Sequence, residues 1–90
     1  MRPIAMDQIC LDILVPGQSA YIDTVTAGDT VRRRLQELGF TPGAPVTCLM
    51  RAPSGDPTAY RIRSAVIALR REDARRIRLR FRKGVDENGG

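Results

Sequence analysis

Apolar and polar residues alternate at the period of a strand through most of this chain, and one segment switches to the period of a helix. In "LDILVPGQSAYIDTVTAGD", Pro16-Gly17 predicts a type II turn. Pro presets φ at its second position, and Gly supplies the positive φ of its third. The strand that follows should place Ala20, Ile22 and Thr24 on one face and Tyr21, Asp23 and Val25 on the other. In "AGDTVRRRLQELGFTPG" the stripe Val31, Leu35, Leu38 has helical spacing and predicts a helix of about nine residues. Asp29 or Thr30 is positioned to cap its start. Gly39 suits the left-handed position after its end, and Phe40 then falls where it can close on Leu35. Pro42 bars continuation.

The remaining pattern predicts short strands. Turn residues 41–44 lead into "PVTCLMR", which has apolar residues on both faces, and "APSGDPT" is a loop broken by Pro53, Gly55 and Pro57. "TAYRIR" sets Tyr60 and Ile62 against Arg61 and Arg63. "AVIAL" is apolar throughout and is expected to be a buried strand, and "RREDA" one helical turn. "RRIRLRFRK" alternates Ile77, Leu79 and Phe81, expected in the core, with Arg78, Arg80 and Arg82 outward. Residues 1–10 are expected to be an extension, residues 11–83 the domain and residues 84–90 a frayed tail. Five to six strands, one short helix inserted after the first and a late helical turn make a mainly β fold. Strands this short, separated by frequent turns, favour a small SH3-like barrel, whose near-closure limits exposed strand edges.

Composition bounds the rest. Ninety residues make one domain with a thin core, unsuited to a deep cavity. Charge is unevenly spread: residues 1–50 hold four arginines against five acidic residues, whereas residues 51–83 hold eleven Lys/Arg against three. With two acidic residues in 84–90, the net is +5. The basic second half suits an acidic partner: nucleic acid, anionic lipid or an acidic protein face.

Catalytic equipment is sparse. Without His, neither a Ser-His-Asp nor a Cys-His arrangement can be assembled. Carboxylates that might pair, Asp23 with Asp29 or Glu72 with Asp73, fall at strand edges and helix starts, where capping and solvation account for them. No Gly-rich phosphate loop precedes a helix. Cys10 and Cys48, 38 positions apart, fit small core hydrophobes in a reducing cytoplasm better than a disulfide or a zinc site. No apolar run approaches the roughly 18 residues of a membrane span, so the chain is expected not to cross a bilayer. No cofactor and no catalytic or metal-binding residue is expected, although scattered carboxylates leave room for weak divalent metal binding through oxygen.

The arginines are the candidate functional residues. Arg32, Arg33 and Arg34 occupy the first turn of the helix against its dipole, a hint of function set against the plainer reading that Arg33 pairs with Glu37. Arg61 and Arg63 share one strand face and Arg78, Arg80 and Arg82 another. If those strands are neighbours, they form one cationic surface. A nucleic-acid binder would set aromatics among those arginines for stacking. Phe81 and Tyr60 alternate with them instead, which turns both rings toward the core.

Taken in order, "LVPGQSAYI", "RRRLQELGFTPG" with its Arg34-Leu35 and Leu38-Gly39 pairs, the "GDP" at 55–57 and "IALRREDARRI" resemble the FeoA domain family across residues 11–82. A Gly common in the family near the turn before "IALR" is replaced here by Ser64, which puts a tight turn or bulge there in question. The resemblance implies an SH3-like barrel in the bacterial cytoplasm, at the inner face of the membrane. It implies a non-enzymatic accessory role in ferrous iron uptake, with a FeoB-like membrane transporter as partner, contacted at its cytoplasmic part. Partner contact would fall to Arg32, Arg33, Arg61, Arg63, Arg78, Arg80 and Arg82, a basic set also suited to an anionic membrane surface. Two alternatives stand beside it: a nucleic-acid-binding small barrel using its arginine face, and a divalent-metal-responsive regulatory domain like those of DtxR-type repressors. Oligomeric state is left open.

Overall fold

The computed structural model describes residues 9–81. The expected tail and Arg82 lie outside them, as does the expected extension up to residue 8. Five strands are present: β1 (Ser19–Val25), β2 (Pro45–Arg51), β3 (Thr58–Ile62), β4 (Ala65–Leu69) and β5 (Ile77–Arg80). Helix α1 (Asp29–Glu37) follows β1, and the one-turn α2 (Arg71–Ala74) joins β4 to β5. The strands form one antiparallel sheet in the order β4-β3-β2-β1-β5. Inward residues of every strand share a single core with Leu35 of α1, Ala74 of α2 and Leu11 of a short 3-10 turn, Leu11–Ile13. The sheet therefore wraps around its own core.

The Pro16-Gly17 turn forms as its residues dictate. Gln18 N–H bonds Val15 O at 2.9 Å, and Gly17 has φ +96°. The helix end matches as well. Gly39 takes φ +118°, its N–H reaches Gln36 O at 3.0 Å, and Phe40 N–H reaches Leu35 O at 3.1 Å. This is the Schellman closure, and it delivers Phe40 and Leu35 fully buried to the core. The start of α1 differs. Gly28 is the N-cap, with no side-chain capping bond, and Asp29 already lies inside the helix, where it pairs with Arg32 at 2.6 Å.

Two bulges correct the expected faces. Between Ile22 and Thr24 the β1–β5 register slips, leaving Asp23 as the extra residue. The alternation therefore changes phase: Val25 turns inward opposite Ile77, and Thr24 is exposed. A second slip, between Cys48 and Met50, leaves Met50 62% exposed, so β2 buries one face (Val46, Cys48) rather than two.

Two further expectations fail. "AVIAL" is β4, an edge strand, and only Leu69 of its five residues is buried, while Val66 is 57% exposed. An apolar run signals burial only where both faces are covered, and here the outer face has no covering element among the described residues. Phe81 lies past the end of β5 and is 44% exposed, because the alternation that would turn it inward stops at Arg80.

The turn before β4 is tight despite Ser64. Ile62 pairs with Ala65 across two residues, and Arg63 supplies the positive φ, +56°. At the opposite edge, Ile9 O accepts from Leu79 N–H at 2.8 Å and Cys10 bridges Arg78, so the residues just before the 3-10 turn run along β5.

Candidate partner surface

The sheet presents a polar outer face on which each row follows from the strand register. Ser19, Thr47, Arg61 and Val66 form one row across β1, β2, β3 and β4, with Ser19 Oγ and Thr47 Oγ1 2.8 Å apart. Tyr21 stands between Pro45 and Arg80 in the next, and Arg78 lies opposite Thr24. Arg61, Arg78 and Arg80 thus share the outer face, but β2 and β1 separate β3 from β5. At a strand spacing of roughly 4.8 Å, β3 and β5 run about 14 Å apart across the sheet. The condition for one continuous cationic surface, adjacent strands, is not met.

Each candidate arginine has its own environment. Arg80 Nη1 donates to the Asp23 carboxylate at 3.2 Å, while its buried Nε has no partner. The β1 bulge thus sets the carboxylate against the guanidinium. Arg63 Nη2 donates to Thr41 Oγ1 at 2.7 Å, which ties the β3–β4 turn to the segment after α1. On α1, Arg32 bonds Asp29 and reaches Ala27 O at 3.5 Å. Arg33 lines a shallow polar hollow with Asp29, Arg32 and Gln36 and forms no ion pair with Glu37. Arg61 is exposed on β3. Arg32 and Arg33 are therefore on a helix surface, apart from the sheet arginines, and nothing gathers the whole set.

Other residues do structural work that spacing alone did not assign. Arg34 Nη2 pairs with Asp73 at 3.2 Å and so links α1 to α2. Asp56 Oδ1 accepts the N–H of Arg71 at 2.8 Å, holding the 52–57 loop against the start of α2. That bond gives the "GDP" motif a physical role: Gly55 turns the chain at φ +97°, and Asp56 satisfies a helix-start donor. Arg51 donates to Leu14 O at 2.8 Å and stitches the end of β2 to the N-terminal segment.

The titratable interior offers little chemistry. Burial pushes the thiols of Cys10 and Cys48 up from 9.0, which keeps them protonated and poor nucleophiles. Tyr60, 1% exposed, is pushed up to about 12, chiefly by burial, and its hydroxyl donates to Leu11 O at 3.4 Å. Among the described residues no group of three or more Cys, Asp or Glu could hold a metal ion. No helix among them is long and apolar enough to cross a membrane. Aromatic rings do accompany the arginines: Phe81 is exposed, and Tyr21 sits on the outer face beside Arg80, whereas Tyr60 is buried as expected.

The FeoA domain profile matches residues 9–80. A Porphyromonas gingivalis (strain ATCC BAA-308 / W83) protein named Fe(2+) transport protein A/Fe(2+) transporter FeoB fusion protein is 40% identical over 67 residues, a match covering 74% of this chain and 8% of that protein. The fold is similar to the solution structure of FeoA from Chlorobium tepidum, with TM-score 0.77 and 33% identity over 87% of this chain and 74% of that one. It is also similar to zinc-complexed FeoA of Stenotrophomonas maltophilia, described as a prokaryotic SH3 domain protein, with TM-score 0.71 and 32% identity over 79% of this chain and 88% of that one.

Proposed function

Because this chain belongs to the FeoA domain family, which acts in ferrous iron transport, we propose that it is a non-enzymatic interaction module that binds and regulates a FeoB-like transporter. The observation that carries this is the fusion relative, in which a matching segment and FeoB are parts of one polypeptide. Covalent linkage raises the effective concentration of one module at the other, an advantage only if the two meet in function. The chain's chemistry fits a docking role. It has no His, its thiols and its most buried phenol are held protonated, and its outer sheet face carries Arg61, Arg78 and Arg80. In this reading those arginines and Arg63 meet acidic groups on the cytoplasmic part of the transporter, beside an anionic inner leaflet. The test is uptake of ferrous iron by cells that express the FeoB of the same genome with or without this chain. Faster uptake in its presence supports the proposal, and identical rates overturn it.

A further inference from the structure

The two edges of the sheet are treated differently. At the β5 edge, Leu79 N–H bonds Ile9 O, Cys10 bridges Arg78, and the strand alternates arginine with apolar residues. Those are ordinary means of blunting an edge. The β4 edge has none of them. Its sequence, "AVIAL", holds no charge, no proline and no bulge, and no strand among the described residues lies beyond it.

The register states which backbone groups are open. Ile62 and Ala65 close a two-residue hairpin, so that pair exchanges hydrogen bonds, and by alternation so do Tyr60 with Ile67 and Thr58 with Leu69. The N–H and C=O groups of Val66 and Ala68 therefore point away from β3, toward the open side. Their side chains stand on the outer face, where Met50, Ala59 and Ala68 form an apolar row beside Val66. Backbone valences and apolar surface coincide on one strand.

Charge selects the occupant. Residues 57–71 contain Arg61, Arg63, Arg70 and Arg71 and no acidic residue; of the flanking carboxylates, Asp56 is engaged by the Arg71 N–H and Asp73 by Arg34, which leaves the exposed Glu72 beside Arg71 against four arginines. A second copy is disfavoured: antiparallel pairing of β4 with itself, centred on Ile67, sets Arg63 of each copy opposite Arg71 of the other. We propose that β4 is a docking edge for an extended protein segment with alternating apolar residues and acidic residues at both ends, which adds to the sheet as a further strand. The inference does not depend on which protein supplies the segment, so it stands or falls apart from the FeoB reading.

The test uses the full chain labelled with nitrogen-15 and two synthetic peptides. Each has a Val-Thr-Val-Thr-Val centre, flanked at both ends by two Glu in one peptide and two Lys in the other. The Glu-ended peptide shifts the amide signals of Val66 and Ala68, protects them from hydrogen exchange, and binds about tenfold tighter than its Lys-ended twin at low salt. Val66→Pro removes an outward donor without touching the β3 ladder and abolishes binding. Ala68→Glu keeps every backbone group and lowers the preference between the peptides, with amide signals elsewhere unmoved as evidence of an intact fold. The proposal is overturned by an equal response to both peptides, by shifts that leave Val66 and Ala68 unmoved, or by concentration-dependent shifts at those amides without peptide, which would assign the edge to a second copy.

Discussion

Replacing Gly39 with Ala tests the link between the helix end and the core. Gly39 has φ +118°, so an L residue there carries backbone strain of about 1–2 kcal/mol. A methyl group at Gly39 would also lie 3.3 Å from Ile62 Cγ1 and 3.6 Å from Cγ2. Ile62 is 0% exposed, so the few tenths of an ångström it must give press on packed core neighbours, and forcing an extra methyl into such a site costs about 1–3 kcal/mol more. The sum, about 2–5 kcal/mol, corresponds to a fall in melting temperature of about 8–40 °C for a domain of this size. Gly17→Ala is the internal control: φ is +96°, yet nothing lies within 4 Å of the added carbon, so only the backbone strain applies. Thermal and guanidinium unfolding followed by circular dichroism should show Gly39→Ala losing about 1–3 kcal/mol more than Gly17→Ala. Equal losses would refute the argument that Gly39 is required by the packing of Ile62 as well as by the turn.

Two further substitutions follow from the same geometry. Asp56→Ala removes the acceptor of the Arg71 N–H and should cost about 1 kcal/mol in urea unfolding, with Asp56→Asn losing less because it keeps an acceptor oxygen. Tyr60→Phe removes a buried hydrogen bond to Leu11 O and should cost about 0.5–1.5 kcal/mol at neutral pH. Its pH dependence has a definite sign. Burial raises the folded-state values of the two thiols from 9.0 and of Tyr60 from 10.0 to about 12, so the unfolded chain releases these protons first. The stabilising preference is full below about pH 9 and is lost as pH rises toward 12; Tyr60→Phe should flatten the upper part of that fall, and a wild-type stability that stays level from pH 9 to 12 would contradict it.

Where the sequence speaks through local chemistry, it was legible. The Pro16-Gly17 turn, the nine residues of α1 and its Gly39-Phe40 closure are set by φ preferences and nearby hydrogen bonds, which one segment carries by itself. The order of elements follows from turn residues and the switch of period, and the family resemblance from motifs in series. What could not be read depends on long-range pairing. The bulge at Asp23, which turns Val25 inward, exists only against β5, some fifty residues on. "AVIAL" reveals a strand but not whether a neighbour covers its outer face, and Phe81 alternates correctly in a strand that stops one residue short of it. The candidate surface fared accordingly. That Arg61 faces outward follows from its alternation with the buried Tyr60 and Ile62, whereas the separation of the two arginine strands is a matter of sheet order, and the tie from Asp56 to α2 joins residues whose sequences give no pairing signal.

The most direct measurement is a calorimetric titration of the full chain into the cytoplasmic part of the FeoB encoded in the same genome. If the chain works by docking on that transporter through its basic outer face, the titration shows saturable one-to-one binding that weakens as salt is raised and weakens further when Arg61 and Arg80 are replaced by Glu. Absence of heat at every concentration, or binding indifferent to both salt and these substitutions, would contradict the account.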